Sequence, residues 1–280
     1  NGTGGNNVVC SNSGDGLFNL IFDVIAQTND ATLFGDVSSE QINDLSVGQS
    51  GSLVNTCDET GGGVNQATCE NTSVANHIGP GPISQANEVD APNSDSAVQS
   101  NGAQITQNLD AVNDCDEEGT GFNLADCTNF EAGNFVDGDL FALIQFNAAI
   151  VGDDTVQTNS VTITQDLQSE NLCDETGVGD NDPDCSNDSQ ANVLFSNFIP
   201  VPIVQENEAD GSGDADITQN NNIPTINQVL ISENDCDQED VQTAEGGNFA
   251  DCSNDDVTNF IDTLFQDNDA QGTHVDDIFQ

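Results

Sequence analysis

Nine cysteines lie at positions 10, 57, 69, 115, 127, 173, 185, 236 and 252. Eight of them form close pairs: Cys57 with Cys69, Cys115 with Cys127 and Cys173 with Cys185, each 12 residues apart, and Cys236 with Cys252, 16 apart. Such thiols can oxidise or bind metal. Disulfides within the pairs are expected, because closing a loop of this length contributes roughly 3 kcal/mol in the chain-entropy model. This cysteine usage implies an oxidising, extracellular setting. Zinc is the alternative, yet neither Cys-x-x-Cys knuckles nor nearby histidines occur, and Cys-x-x-Cys-His haem attachment is absent. Nine is odd, so Cys10 is expected to stay unpaired or to bond between subunits.

The segments between paired cysteines are rich in Asp, Glu, Asn and Gly. Calcium takes six to eight hard oxygens from carboxylates, amides and carbonyls. The candidate ligands are Asp58, Glu59, Asp116, Glu117, Asp174, Glu175, Asp180, Asp182, Asp184 and Asp237, densest between 174 and 184. None follows EF-hand spacing. The other reading of each segment is a solvated acidic hairpin stapled by its disulfide. Glycan acceptors of the Asn-x-Ser/Thr type occur at Asn1, Asn71 and Asn187.

Charge narrows the classes of function further. The chain of 280 residues carries 50 Asp and Glu with no Lys or Arg, a formal charge of -50. Without cationic side chains there is no phosphate clamp and no basic stripe to neutralise a nucleic-acid backbone. Nucleic acid and anionic membrane are excluded as partners, and divalent cations are favoured, since like charges repel unless counterions gather among them. Catalysis is not expected: choosing two carboxylates for glycoside hydrolysis would be arbitrary. His77 and His274 occupy no repeated position and are expected at the surface. The longest apolar stretch, Leu140 to Val151, is interrupted by Gln145 and Asn147 and is too short for a bilayer. The chain opens on Asn1 without a charged or apolar leader, so a signal peptide is expected to have been removed.

What positions these groups is a repeat. The first cysteine of each pair opens Cys-Asp-Glu or Cys-Asp-Gln, and the second opens Cys-x-Asn, as does Cys10. Gln-x-Asn recurs at Gln27, Gln85, Gln145, Gln205 and Gln266, and again at Gln41, Gln99, Gln157 and Gln219. These markers divide the chain into units 1–56, 57–114, 115–172, 173–235 and 236–280, with a period near 58. The first unit lacks its opening Cys-Asp-Glu, and the last is incomplete. In the second unit Gln99, Asn101, Ala103, Ile105, Gln107, Leu109, Ala111 and Asn113 alternate with outward residues. That period of two predicts strand. Only Leu17 to Ala26 and Asp256 to Phe265 admit a short helix.

Amides on an apolar face cost a few kcal/mol each unless bonded. Identical amides in stacked repeats can bond the residue above and below. Gln107, Gln165 and Gln228, and Asn113, Asn171 and Asn234, are the expected rungs of such ladders. The fold class is therefore all-β, a β-solenoid-like stack of tandem repeats; the alternative is a string of small β-sandwich modules of about 58 residues, near the lower limit for independent folding.

Gln-x-Asn, Cys-x-Asn and Ile-Thr-Gln (Ile105-Thr106-Gln107, Ile163-Thr164-Gln165, Ile217-Thr218-Gln219) together resemble secreted Asn/Gln-rich, disulfide-containing repeat proteins of archaeal or bacterial cell surfaces that form filaments. The resemblance implies an extracellular structural role and carries no catalytic residue. Uncapped repeats at both ends of the chain predict head-to-tail self-association into a homopolymer, unless the chain is a processed or partial piece of a longer array. The alternative is a calcium-rigidified adhesin or stalk.

Overall fold

The computed structural model describes residues 6–21, 24–34, 37–79, 81–92, 96–138, 143–152, 154–178, 182–188, 190–196, 203–212, 215–222, 224–240, 251–255, 257–261, 264–273 and 277–279. Strands account for the regular structure throughout, and no helix occurs among the described residues. The helical readings of 17–26 and 256–265 fail accordingly: Leu17 to Ile21 and Thr258 to Ile261 are strand. Pairing with the neighbouring unit satisfies their backbone groups and overrides the local apolar pattern.

Among the described residues, eighteen strands build three parallel sheets. The first contains β1 (Asn6–Ile21), β4 (Asn65–Ile78), β7 (Asn123–Gly138), β10 (Asp184–Asp188) and β15 (Asp251–Asp255), with β11 (Ala191–Ser196) and β16 (Thr258–Ile261) continuing it. The second is β2 (Ile25–Thr32), β5 (Ile83–Ala91), β8 (Leu143–Val151), β12 (Ile203–Ser212) and β17 (Leu264–Thr273). The third is β3 (Ser38–Gly62), β6 (Ser96–Thr120), β9 (Asp154–Val178), β13 (Asp216–Asn221), β14 (Thr225–Asp240) and β18 (Asp277–Phe279).

Each turn of the chain passes once through each sheet before the next turn stacks upon it, with the passage broken into two strands at β10/β11, β13/β14 and β15/β16. Pairing between β3 and β6 runs unbroken from Ser38↔Ser96 to Gly62↔Thr120, and β6 with β9 continues it from Ser96↔Asp154 to Thr120↔Val178. Because the offset is fixed, like residues fall on like: Cys57, Cys115, Cys173 and Cys236 align in one column. In the fourth turn the offset grows by one residue between Asn221↔Asn159 and Thr225↔Thr162, so one extra residue is accommodated between β13 and β14. Sandwich modules would keep their pairing within a unit. Here it runs between units, so the fold is a β-solenoid-like stack.

Sheet three lies across the core from the other two. Gln27 Nε2 donates to the Asp44 carbonyl (3.0 Å) and Asn55 Nδ2 to the Glu70 carbonyl (3.0 Å), which sets the first half of β3 against the second sheet and the rest against the first. The interior is banded. Val89, Ala91, Ala97, Ala149 and Val151 fill one edge, Ile78, Ile83, Ile105, Leu143 and Ile163 the middle, and Leu53, Leu109 and Leu167 a third band. Burying such aliphatic side chains contributes about 1.5–3 kcal/mol each. Amide columns separate the bands. At the far end the chain turns from sheet three into sheet one through Gly63, whose φ of 114° is the left-handed region that glycine alone enters without strain. A Cβ on Gly121, one turn further along the stack, would overlap the Gly63 carbonyl, so the turns stack here only because position 121 is bare.

Candidate functional site

The amide columns come first, because they place everything else. Asn101, fully buried, donates through Nδ2 to the oxygens of Asn147 and Asn159 (3.0 Å each) and to the Phe146 carbonyl (3.0 Å). Its Oδ1 accepts from Asn43 (3.1 Å) and Asn87 (3.0 Å). Each asparagine thus bonds the next turn in its own sheet and also crosses to the facing sheet, closing a zipper between sheets two and three. A second zipper uses Asn55, Asn113 and Asn171 against Asn71, Asn129 and Asn187. Glutamines form single-file ladders: Gln107 donates to Gln49 (2.7 Å), Gln165 to Gln107 (2.9 Å) and Gln228 to Gln165 (2.7 Å). The asparagine ladder runs the other way, Asn113 to Asn171 (2.9 Å) and Asn171 to Asn234 (2.8 Å). All six expected ladder residues are in place. The sequence reading passes over another column, Asn76, Asn134, Asn192 and Asn259. Its spacing from Asn76 to Asn192 matches that of the cysteines, which is the signal that could have revealed it.

Asn71 and Asn187 belong to these columns, which overturns their reading as glycan acceptors. Asn71 Nδ2 donates to Asn113 and Asn129 oxygens at 3.0 and 2.9 Å, and Asn187 Nδ2 to those of Asn234 and Asn254. The nitrogen a glycan would occupy is buried and engaged. Asn1 lies outside the described residues.

The cysteines occupy the next band. Cys10, Cys69, Cys127, Cys185 and Cys252 stack in sheet one, and the Cys-Asp cysteines stack opposite in sheet three. Cys115–Cys127, Cys173–Cys185 and Cys236–Cys252 are disulfides, as expected. The first pair departs from expectation. Cys57 is bonded to Cys10, the residue expected to stay unpaired, and Cys69 is a buried free thiol. The physical reason is that each sulfur has two eligible neighbours, one in its own turn and one in the adjacent turn. The Cα separation is 6.3 Å for Cys10–Cys57 and 6.8 Å for Cys115–Cys127, both within disulfide reach. Burial, followed by the fields of Asp114, Asp126 and Asp58, pushes the Cys69 thiol up to about 12.

In the described residues the Cys-Asp-Glu segments are strands, not loops. β3, β6 and β9 run straight through Cys-Asp-Glu, so the alternation sends Asp58, Asp116 and Asp174 to the exposed face and Glu59, Glu117 and Glu175 into the core. Asp and Glu of one motif therefore cannot share an ion. Asp182 is half-buried and Asp184 exposed; Asp180 and the side chain of Asp237 lie outside the described residues. His77 is half-buried with its ring 6.2 Å from that of Phe135, not at the open surface, and His274 is not described.

Inward glutamates were legible only as carboxylates, not as buried ones. Glu117 Oε2 accepts from the Leu124 N–H (2.7 Å) and Glu175 Oε1 from the Ala125 N–H (2.7 Å). Glu117 Oε1 and Glu175 Oε2 are buried with no partner. Burial pushes Glu117 up to about 7 and Glu175 to about 8, with Glu59 beside the former and Glu117 beside the latter adding to it; backbone N–H bonds oppose the rise. On the outside, burial and then neighbouring acids raise Asp114, Asp116, Asp126 and Asp184. Asp58, Asp116 and Asp174 form one column of like charge along the stacking axis, and Asp126, Asp184 and Asp251 form another.

Searches against protein-family models, curated proteins and solved structures find no match to this chain. The fold itself defines the class, an all-β stack of parallel strands with disulfide-bonded cysteines in its core. Among the described residues no helix is long and apolar enough to cross a membrane.

Proposed function

We propose that the chain is a structural subunit of an extracellular filament or surface fibre, a homopolymer assembled by stacking turn upon turn. One observation carries this reading: each turn offers the next the same register of backbone groups and amides, as in Asn29 to Asn87 to Asn147 to Asn207 to Asn268. A turn of a second copy meets the same donors and acceptors that an internal turn meets, which is the chemistry of cross-β growth. The role proposed is structural. The setting is extracellular, where disulfides persist.

Divalent cations, calcium first among them, are the proposed partners of the outer aspartate columns. They would bind along the columns, between successive turns, and relieve the repulsion that stacking imposes. Electron microscopy of the purified protein at neutral pH, with calcium and with chelator, tests both parts. Regular filaments with calcium, shortened or dispersed by chelator, are expected. Isolated short rods in both conditions favour the stalk reading, and a monodisperse monomer under every condition contradicts assembly.

A further inference from the structure

The sulfurs of this protein are closer together than a set of independent disulfides requires. Sγ atoms of Cys10, Cys57 and Cys69 all lie within 4.8 Å of one another, and so do those of Cys69, Cys115 and Cys127 and those of Cys127, Cys173 and Cys185. Cys69 belongs to two of these triads and Cys127 to two, so an unbroken path of sulfur contacts runs up the core. One thiol, at Cys69, sits on that path with a disulfide on either side.

We infer that the cysteine column is a thiol–disulfide exchange relay, and that Cys10 is the site where its buried thiol becomes reactive toward external disulfides and electrophiles. In the first step the Cys69 thiolate attacks Cys57 Sγ. The Cys57–Cys69 bond forms, the Cys10–Cys57 bond breaks, and Cys10 leaves as a thiolate that takes up the proton Cys69 gave up. Bonds, electrons and protons balance within the protein, and no oxidant is needed. The product pairing is the in-turn pairing of the other three disulfides, so both arrangements suit the same backbone. Exchange also moves the thiol from a fully buried position to a half-buried one on β1, at the edge of its sheet. In the opposite direction attack on Cys115 would free Cys127, which remains buried and unreactive to reagents.

The raised Cys69 pKa slows this step, because only the thiolate attacks. Its rate should rise about tenfold per pH unit up to about pH 11, as expected for a thiol that ionises near 12. The test uses the intact protein in two samples: one unfolded in guanidinium at pH 6 with a maleimide present from the start, the other alkylated while folded during incubation at pH 9. Digestion at acidic residues, without reduction, then locates the label and the disulfides. Label on Cys69 in the first sample and on Cys10 in the second, the latter with a Cys57–Cys69 disulfide, is the expected result. Label on the same cysteine in both samples, or a folded protein that is never labelled, overturns the inference.

Discussion

Replacing Asn101 by leucine is the sharpest test of the banded core. Leucine keeps the size of the side chain and adds apolar surface, so simple hydrophobic accounting favours the variant by about 1–2 kcal/mol. The ladder says the opposite. Asn101 makes three donor contacts and two acceptor contacts with Asn43, Asn87, Phe146, Asn147 and Asn159. At roughly 0.5–1.5 kcal/mol apiece, five lost hydrogen bonds cost about 3–7 kcal/mol. Several partners keep another bond, as Asn87 does to the Ser100 carbonyl and Asn159 Oδ1 does from Asn147, which places the cost in the lower half of that range. With the apolar gain subtracted, N101L should lose about 2–3 kcal/mol in urea unfolding. Gln104, exposed three residues along the same strand, is the control, and Q104L should stay within about 0.5 kcal/mol of the parent. An N101L variant as stable as the parent would refute the claim that the amides, and not the aliphatics alone, specify the core.

Three other outcomes follow from the same structure. Glu117 and Glu175 are raised to about 7 and about 8 when folded, against an unfolded 4.5, so folding favours their protonated forms. Their stabilisation is complete below about pH 4.5 and lost as pH rises through 7 to 8, a swing on the order of 3–5 kcal/mol for each carboxyl; the urea midpoint should fall across this window, and E117Q with E175Q should flatten the fall. Ile105→Ala, at a fully buried site among Val47, Ile163 and Leu143, should cost about 2–5 kcal/mol by thermal or urea unfolding, and a smaller loss would show a looser middle band. Gly121→Ala should destabilise by at least 1–3 kcal/mol, since its Cβ meets backbone that cannot swing aside; unchanged stability would show that the turn stack is not as tight as described.

Much of the fold was legible because the sequence repeats at three levels that agree. Alternation at Gln99 to Asn113 set the strand and its inward face, the recurrence of Gln-x-Asn set the register, and amides on an apolar face made sense only if like met like. What escaped depends on where strands end. The Cys-Asp-Glu segments looked like loops because Asp, Glu and Gly dominate them, yet the strand continues to Gly62, Thr120 and Val178 under the control of its neighbours. That extension carries the alternation of Gln99 to Asn113 onward, which turns Glu117 and Glu175 inward and Asp116 and Asp174 outward. The glycan sequons misled for a related reason: a tripeptide records chemistry, but Asn71 and Asn187 face a core made of the same amide. Cysteine pairing escaped because spacing along the chain favours the partner in the same turn, while stacking brings a second partner equally near.

Diffraction from oriented specimens addresses the central claim most directly, that successive turns stack as parallel strands in register. A strong reflection near 4.8 Å, directed along the axis of the proposed filament and at right angles to the strands, is the expected result, since about 4.7–4.9 Å separates paired strands and the filament grows in the stacking direction. A 4.8 Å spacing perpendicular to the filament axis, or its absence, would contradict the stack.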